Sequence, residues 1–584
     1  MKKKWILINK KADFVAIGKR YNVDPVIAKI VTNRGVDSEE KLDEYFGKGD
    51  AVPKPSGAFK DMDLGVEIVG AEIERKSKIL VIGDYDADGV CATAILVKTL
   101  RTLGAEVFYK IPHRIEDGYG MNEKMVDLAS DDGISCIITC DNGISAFAAA
   151  KRAKEKGIKL VITDHHNVPF EDSKEGKMEI IPEADAVINP KQSECPYPFK
   201  DICGAVVALR FCEKLFAKFG IEPDEKSELY DYAAIATITD VMPLVGENRA
   251  LVKNRLNKIS HSKSLGLRTL CDKRLPGKEV LSGFDIGFVV GPCINATGRV
   301  STADKAVELL LSEDISEASN LADEMTNLNQ ERKEMTKKGA DEALGMLNIM
   351  EEDKVLVIYM PSLHESIAGL VAGRVREHTG KPTLVVTNAA EGAKASGRSI
   401  EGYSMIDEIT KCRDLLTKFG GHPMAAGLSL PIENIDELRK RLNNNCEIPL
   451  EELCPKIKID VPMPFGYVTE KIIEELSVLE PTGKGNEAPV FALKGVKISK
   501  ASYMGAKKQH LRITAEEEGR RYQLVLFNRA NEFIDCIEDK YGKDKAALVF
   551  ADKASGVEML ISYRPQINEY MGRRNIQFVI DDFE

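Results

Sequence analysis

Long apolar runs are missing from this sequence: no stretch of about eighteen or more apolar residues occurs, which excludes a membrane-spanning helix. Paired cysteine motifs are missing too. Twelve cysteines are scattered along the chain without a CxxC pair, and Cys136 and Cys140 lie inside an apolar, strand-like run. That distribution argues against a disulfide framework or a zinc site and for reduced, mostly buried thiols. The first residues, MKKKWILINKKADF, carry a basic cap, but the apolar stretch Trp5–Ile8 is too short for a signal-peptide core. A cytoplasmic location is expected. No internal repeat or low-complexity tract is present, and no excess of positive charge: the net charge is −11. That balance gives no general support to nucleic-acid binding, although a local basic groove is compatible with it.

What remains is globular. Hydrophobic residues make up 43% and charged residues 30% of the chain, and 584 residues are too many for one core, so three or four domains are expected. Residues 1–60 are mixed and carry Pro53 and Pro55 near their end. From about residue 65, short runs rich in Val and Ile alternate with helix-like segments: KILVIG (78–83), AEVFYKIP (105–112), SCIITC (135–140), KLVIT (159–163) and ADAVIN (184–189). Buried parallel strands read as continuous apolar runs, so this is an α/β sheet with crossover helices. Residues 312–350 lack proline, and Ile315, Ala318, Ala322, Met325 and Leu328 recur at helical spacing, predicting a long amphipathic helix. A second α/β segment follows, with KVLVIYM (354–360) and PTLVVTN (382–388). After Pro449 the pattern turns β-rich, with VFALKGVKISKASYM, HLRITAEEEGRRYQLVLFN and AALVFADK, which suggests an OB-like barrel.

The most informative stretch is GDYDADG at 83–89, with Asp84, Asp86 and Asp88 at alternate positions. A calcium-binding EF-hand loop would need a carboxylate at position twelve and a helix in front; position twelve is Ile95, and a strand-like run precedes. The alternative is a catalytic metal site. In a parallel sheet, functional groups collect past the C-terminal ends of strands. Asp141-Asn142-Gly143 follows SCIITC, Asp164-His165-His166 follows KLVIT, and Asp240 ends another apolar run. One such aspartate is ordinarily a helix N-cap. Acids and histidines on three successive strand ends point instead to metal. Oxygen ligands with imidazole suit Mn²⁺ or Mg²⁺, and so many carboxylates exceed the need of one ion. Two ions about 3.5–4 Å apart, the geometry of phosphoester hydrolysis, fit better.

These residues resemble the DHH phosphoesterase superfamily, named for the triplet seen here at 164–166. PHRIEDGYG (112–120), INP (188–190), INATGR (294–299), ASGRS (395–399), GGHPMAAG (420–427) and LEPTGKGNEAPVF (479–491) extend the likeness, and the late motifs single out its RecJ branch of single-strand-specific 5′→3′ exonucleases. The resemblance implies Asp84, Asp86, Asp88, Asp141, His165 and Asp240 as ligands of two divalent ions, Mn²⁺ in preference to Mg²⁺, with Asp141 bridging. His166 would face the scissile phosphate, and the catalytic set would be Asp141, His165 and His166. Substrate contacts would come from Arg114, Arg299, Ser396, Arg398, Gly420, Gly421 and His422, with Tyr119 either stacking on a base or belonging to the core.

The implied organisation is an extension over 1–60, a parallel-sheet DHH domain over 61–311, a linker helix over 312–350, a DHH-associated α/β domain over 351–448 and an OB-like nucleic-acid-binding domain over 449–584. Residues 491–530 hold nine Lys or Arg against three Glu, a basic island suited to a single-strand track. The expected function is release of 5′-mononucleotides from single-stranded DNA in repair and recombination, by a monomer that meets a helicase and a single-strand-binding protein. Rival readings are a DHH phosphodiesterase of short oligoribonucleotides or cyclic dinucleotides, a pyrophosphatase, and a non-catalytic scaffold. The β-rich region after 450 argues against the first two, and the intact acid set against the third.

Overall fold

The computed structural model describes residues 3–47, 58–173, 176–222, 224, 227–553, 556–570 and 573–584. The chain forms two compact units, one over 53–455 and one that combines 3–52 with 456–584.

Among the described residues the larger unit contains two five-stranded sheets and a two-stranded one, Phe170–Ser173 with Gly176–Glu179. The first is parallel throughout, in the order Glu106–Lys110, Lys78–Ile82, Cys136–Cys140, Lys159–Thr163 and Ala186–Ile188. Cys136–Cys140 is buried at every position, as a central strand covered on both faces must be. The helices Ala87–Thr102, Gly204–Lys218 and Glu228–Thr239 pack into the same core. All five strand ends therefore lie along one edge.

The helix Ile315–Gly345 has 31 residues and spans about 46 Å. Asp314 caps it, accepting from the Ser316 and Glu317 amides. It packs against Gly291–Val300 at one end and Ala368–Thr379 at the other, so it ties the first sheet's domain to the second. The second sheet runs Lys418–His422, Ala425–Leu430, Ala393–Arg398, Thr383–Asn388 and Leu356–Tyr359. Only its last pair is parallel.

In the smaller unit, Phe491–Met504, His510–Glu517, Arg520–Leu526, Arg573–Phe583 and Val557–Tyr570 pair in that order, and the last returns to the first, closing a five-stranded barrel. Two expectations differ from this arrangement. AALVFADK is not a strand: its first five residues close the helix Lys543–Phe550, which buries Ala546 and Val549 three residues apart, and the rest is a turn. A short apolar run does not by itself distinguish the two periods. Nor do residues 3–47 stand apart as an extension. Lys4–Leu7 pairs in parallel with Lys456–Ile459, and Ile27, Ile30 and Val31 join the barrel core. Pro53 and Pro55, near the end of the expected extension, lie outside the described residues.

Candidate active site

The acid loop between Lys78–Ile82 and Ala87–Thr102 is shaped by close backbone approaches. A Cβ at Gly89 would meet Asp84 backbone atoms at 2.5 Å, and one at Gly298 would meet the Tyr85 carbonyl oxygen at 2.1 Å. Asp86 does act as the helix N-cap, its Oδ1 accepting from the Asp88 and Gly89 amides. Asn295 supplies a further cap by accepting from the Ala87 amide. Asp88 is buried, and both its oxygens accept amide hydrogens at 2.7 Å from Gly204 and Ala205, the first turn of Gly204–Lys218. A helix N-terminus is a favourable seat for a carboxylate.

Asp141, directly after Cys136–Cys140, has φ of +60°, a left-handed conformation that short polar side chains tolerate. A Cβ on Gly204 would lie 2.6 Å from Asp141 Cβ, so glycine at 204 is what lets Asp88 and Asp141 share that helix end. His165 is buried, and its Nε2 lies 3.1 Å from Asp141 Oδ1, 3.6 Å from Asp88 Oδ2 and 3.7 Å from Asp240 Oδ2. Asp240 ends the helix Glu228–Thr239, and the next residue, Val241, is left-handed with φ of +56° despite its β-branch. Such backbone is uncommon and concentrates at functional sites.

Three overlapping donor groups result: Asp84 with Asp86 and Asp141, Asp88 with His165 and Asp240, and Asp141 with His165 and His166. Asp84 Oδ1, Asp141 Oδ1 and Asp240 Oδ2 are buried and accept no hydrogen bond within the protein. Burial and neighbouring carboxylates hold Asp84, Asp141 and Asp240 well above the usual carboxylate range, and push Asp88 up to about 6. Burial, with the His166 charge beside it, pulls His165 down to about 3. A neutral imidazole facing clustered carboxylates is a donor set that needs a cation, and oxygen-rich donors with imidazole fit Mn²⁺ or Mg²⁺.

A pH dependence follows. The raised folded-state pKa of Asp88 lends the metal-free fold stability below about pH 4 that is lost as pH rises through about 6. Metal-free protein should melt at a lower temperature at pH 7.5 than at pH 5.5, and the gap should shrink in Asp88→Asn. An unchanged gap in that variant would remove the carboxylate cluster as its cause.

His166 differs from its neighbour. One third of its side chain is exposed, and Nδ1 lies 2.7 Å from Asp164 Oδ1. Burial opposes its charge, but Asp164 outweighs burial and raises it to about 9. Asp164, buried yet held down to about 2 by His166 and by the Ile144 amide, also accepts from the His165 and His166 amides. It orients the His166 imidazole and holds the backbone amides of both histidines of the triplet. The sequence analysis named Asp164 within the triplet without giving it a role, and it left out Gly204, for which a glycine opening an apolar helix was the available signal.

Tyr119 is half exposed, and its hydroxyl donates to the Asp141 carbonyl and lies 3.1 Å from His166 Nδ1. Arg114 stacks over the Tyr85 ring at 3.8 Å and donates to the Gly298 carbonyl. Arg299 reaches from Gly291–Val300 to the Ser366 carbonyl. Arg398, on the same strand as Ser396, lies against Gly369, where a Cβ would stand 2.7 Å from its Nη2. Gly420, Gly421 and His422 are exposed on Lys418–His422, and His422 Nδ1 lies 3.2 Å from the amide of Asn167, next to His166. Burial and the charges of Arg114 and Arg332, with Arg398 also contributing, pull Arg299 down to about 9. This concentration of guanidinium groups beside the acid cluster suits an anion.

A parallel sheet with acids and paired histidines at its C-terminal edge, followed by a second α/β domain, defines a DHH-type phosphoesterase. Residues 78–237 match the DHH family N-terminal domain, 352–447 the DHHA1 domain and 459–582 the RecJ OB domain. The chain is 33% identical to the single-stranded-DNA-specific exonuclease RecJ of Bacillus subtilis, over 100% of this chain and 71% of that protein. Identity to the RecJ of Escherichia coli is 31%, over 96% and 95% of the two chains. The crystal structure of Thermus thermophilus RecJ in complex with Mn²⁺ superposes with a TM-score of 0.80 at 26% identity, covering 100% of this chain and 79% of that one. The chain belongs to the RecJ family.

Proposed function

We propose that the chain is a metal-dependent exonuclease that hydrolyses single-stranded DNA from its 5′ end and releases 5′-mononucleotides. The observation that carries this reading is the buried, unsatisfied acid–histidine cluster with arginines beside it, in a chain whose full-length relatives are named single-stranded-DNA-specific exonucleases.

In this reading Asp84, Asp86, Asp88, Asp141, His165 and Asp240 hold two divalent ions, Mn²⁺ or Mg²⁺, with imidazole favouring Mn²⁺. Ions bound there supply a nucleophilic water at neutral pH and neutralise charge on the phosphate. The protein's own groups do the rest. Asp164 keeps His166 protonated and aimed, so that His166 can neutralise the scissile phosphate or hand a proton to the leaving oxygen. Arg114, Arg299, Ser396 and Arg398 anchor the terminal phosphate, and the GGH strand closes over the next one through its amides and His422. Anchoring the end fixes which bond meets the ions.

The barrel is the single-strand track in this account. Its residues 491–530 keep their basic excess while the whole chain is at −11. We extend the proposal to a cytoplasmic monomer acting in repair and recombination beside a helicase and a single-strand-binding protein. Among the described residues no helix is long and apolar enough to cross a membrane.

The test uses Mn²⁺ and a strand with a 5′-phosphate and a 3′ label. Progressive shortening from the 5′ end with mononucleotide release, and little attack on blunt duplex, is expected. Survival of the long strand while di- to pentanucleotides are cut would favour a small-substrate phosphodiesterase.

A further inference from the structure

Asn167, the residue after the triplet, is exposed, yet the backbone that carries it is held on both sides. Before it, Asp164 Oδ1 accepts the His165 and His166 amides, and the side chain of Asn189 donates to the His166 carbonyl at 2.9 Å. Asn189 is itself buried, and its Oδ1 accepts from the Lys191 amide. After it, the Pro169 carbonyl accepts from the Ile180 amide at 2.8 Å. The Asn167 side chain therefore leaves a fixed backbone. It reaches the second α/β domain, where its amide nitrogen lies 3.2 Å from His422 Nδ1.

On the receiving side, Lys418–His422 is an edge strand, hydrogen-bonded to Ala425–Leu430 and exposed at all five positions. The tight turn after it fixes the backbone. His422 stands opposite Ala425, and Gly421, at φ of +146°, lies where a Cβ would meet the Ala425 carbonyl oxygen at 2.5 Å. The His422 ring is another matter. It is exposed, so polar contacts and not burial place it, and the contact to Asn167 comes from the other domain, one residue from His166.

We propose that Asn167 is a positioning residue that holds the His422 imidazole beside the triplet in the tautomer that carries its proton on Nε2. This rests on the nuclease reading above, in which His422 meets a phosphate. A side-chain amide nitrogen donates and does not accept, so Nδ1 is the acceptor of the pair. In a neutral imidazole the proton then sits on Nε2. Nε2–H is the group left to donate to a phosphate oxygen. The opposite tautomer would turn a lone pair towards that oxygen and repel it. Through this contact the loop that orients His166 also orients the imidazole supplied by the second domain.

The test joins a double-mutant cycle to ¹⁵N spectra of the histidine-labelled protein. Asn167→Ala, His422→Ala and the double variant are assayed with Mn²⁺ on 5′-phosphorylated single strands. Both side chains are exposed, so the variants should fold, which their melting temperatures check. Asn167→Ala should lower kcat/KM by about 3- to 10-fold, the range for one lost hydrogen bond. The same change made in His422→Ala should cost nothing further. The spectra are taken without metal at about pH 8.5, where an ordinary imidazole is neutral. With eight histidines in the chain, His422 is identified by the signals that His422→Ala removes. The wild type should show an unprotonated Nδ1 and a protonated Nε2, and Asn167→Ala should move both towards the average of the two tautomers. If the loss of kcat/KM is as large in the His422→Ala background, or the His422 signals do not move, Asn167 does not act through His422 and the proposal is refuted. If the wild type leaves DNA uncut, the nuclease reading itself fails, whatever the spectra show, and the positioning role falls with it.

Discussion

Asp141→Asn should lower the Mn²⁺-supported rate on single-stranded DNA by at least about 10³-fold, close to 4 kcal/mol of barrier, while raising the melting temperature of the metal-free protein. Asparagine tolerates the left-handed backbone at this position, so the loop should keep its course. What disappears is a carboxylate shared by two of the three donor groups. Without cations that carboxylate is buried beside Asp88, Asp86, Asp84 and Asp240, all of which raise its pKa after burial itself has done so. Removing one ionisable group from such a cluster relieves repulsion, and a gain of about 1 kcal/mol would appear as roughly 2–4 °C. Rate assays and metal-free melting curves on the same preparation check both halves. If Asp141 were merely structural, its loss would lower stability and leave the metal dependence of the rate intact.

Arg299→Met should raise KM for 5′-phosphorylated single strands by about 10- to 100-fold, the range for a lost hydrogen bond to a charged group, with a smaller effect on kcat. Arg299 is held by the Ser366 carbonyl, and burial and neighbouring arginines depress its pKa. A guanidinium kept there against its own electrostatics is explained by an anion that arrives with the substrate. Methionine retains much of the apolar stem without the charge, so the fold should be unharmed. The decisive comparison is between strands with and without a 5′-phosphate: the variant should lose most of the wild type's preference. Were Arg299 only a strut between the first sheet and Ser366, stability would fall and that preference would survive.

The parallel sheet was readable because its strands are buried on both faces and so appear as unbroken apolar runs; Lys78–Ile82 and Cys136–Cys140 fall within KILVIG and SCIITC. The loops after them carry the acids, and strand-end chemistry follows from that topology. Asp240 was less readable from the residues alone, because it caps a helix, where a single aspartate is unremarkable. Gly204, and the role of Asp164, escaped for another reason. Gly204 acts through its backbone amide and its lack of a Cβ, and Asp164 acts on the His166 imidazole instead of joining a donor group. The place of residues 3–47 depends on pairing with Lys456–Ile459 across almost the whole chain, which no local pattern announces.

The central claim is that the acid–histidine cluster holds two catalytic cations, and anomalous scattering from crystals grown with Mn²⁺ tests it most directly. Two peaks about 3.5–4 Å apart, both within coordination distance of Asp141 and one beside His165, are the predicted result. A single peak, or none among Asp84, Asp86, Asp88, Asp141, His165 and Asp240, would contradict it.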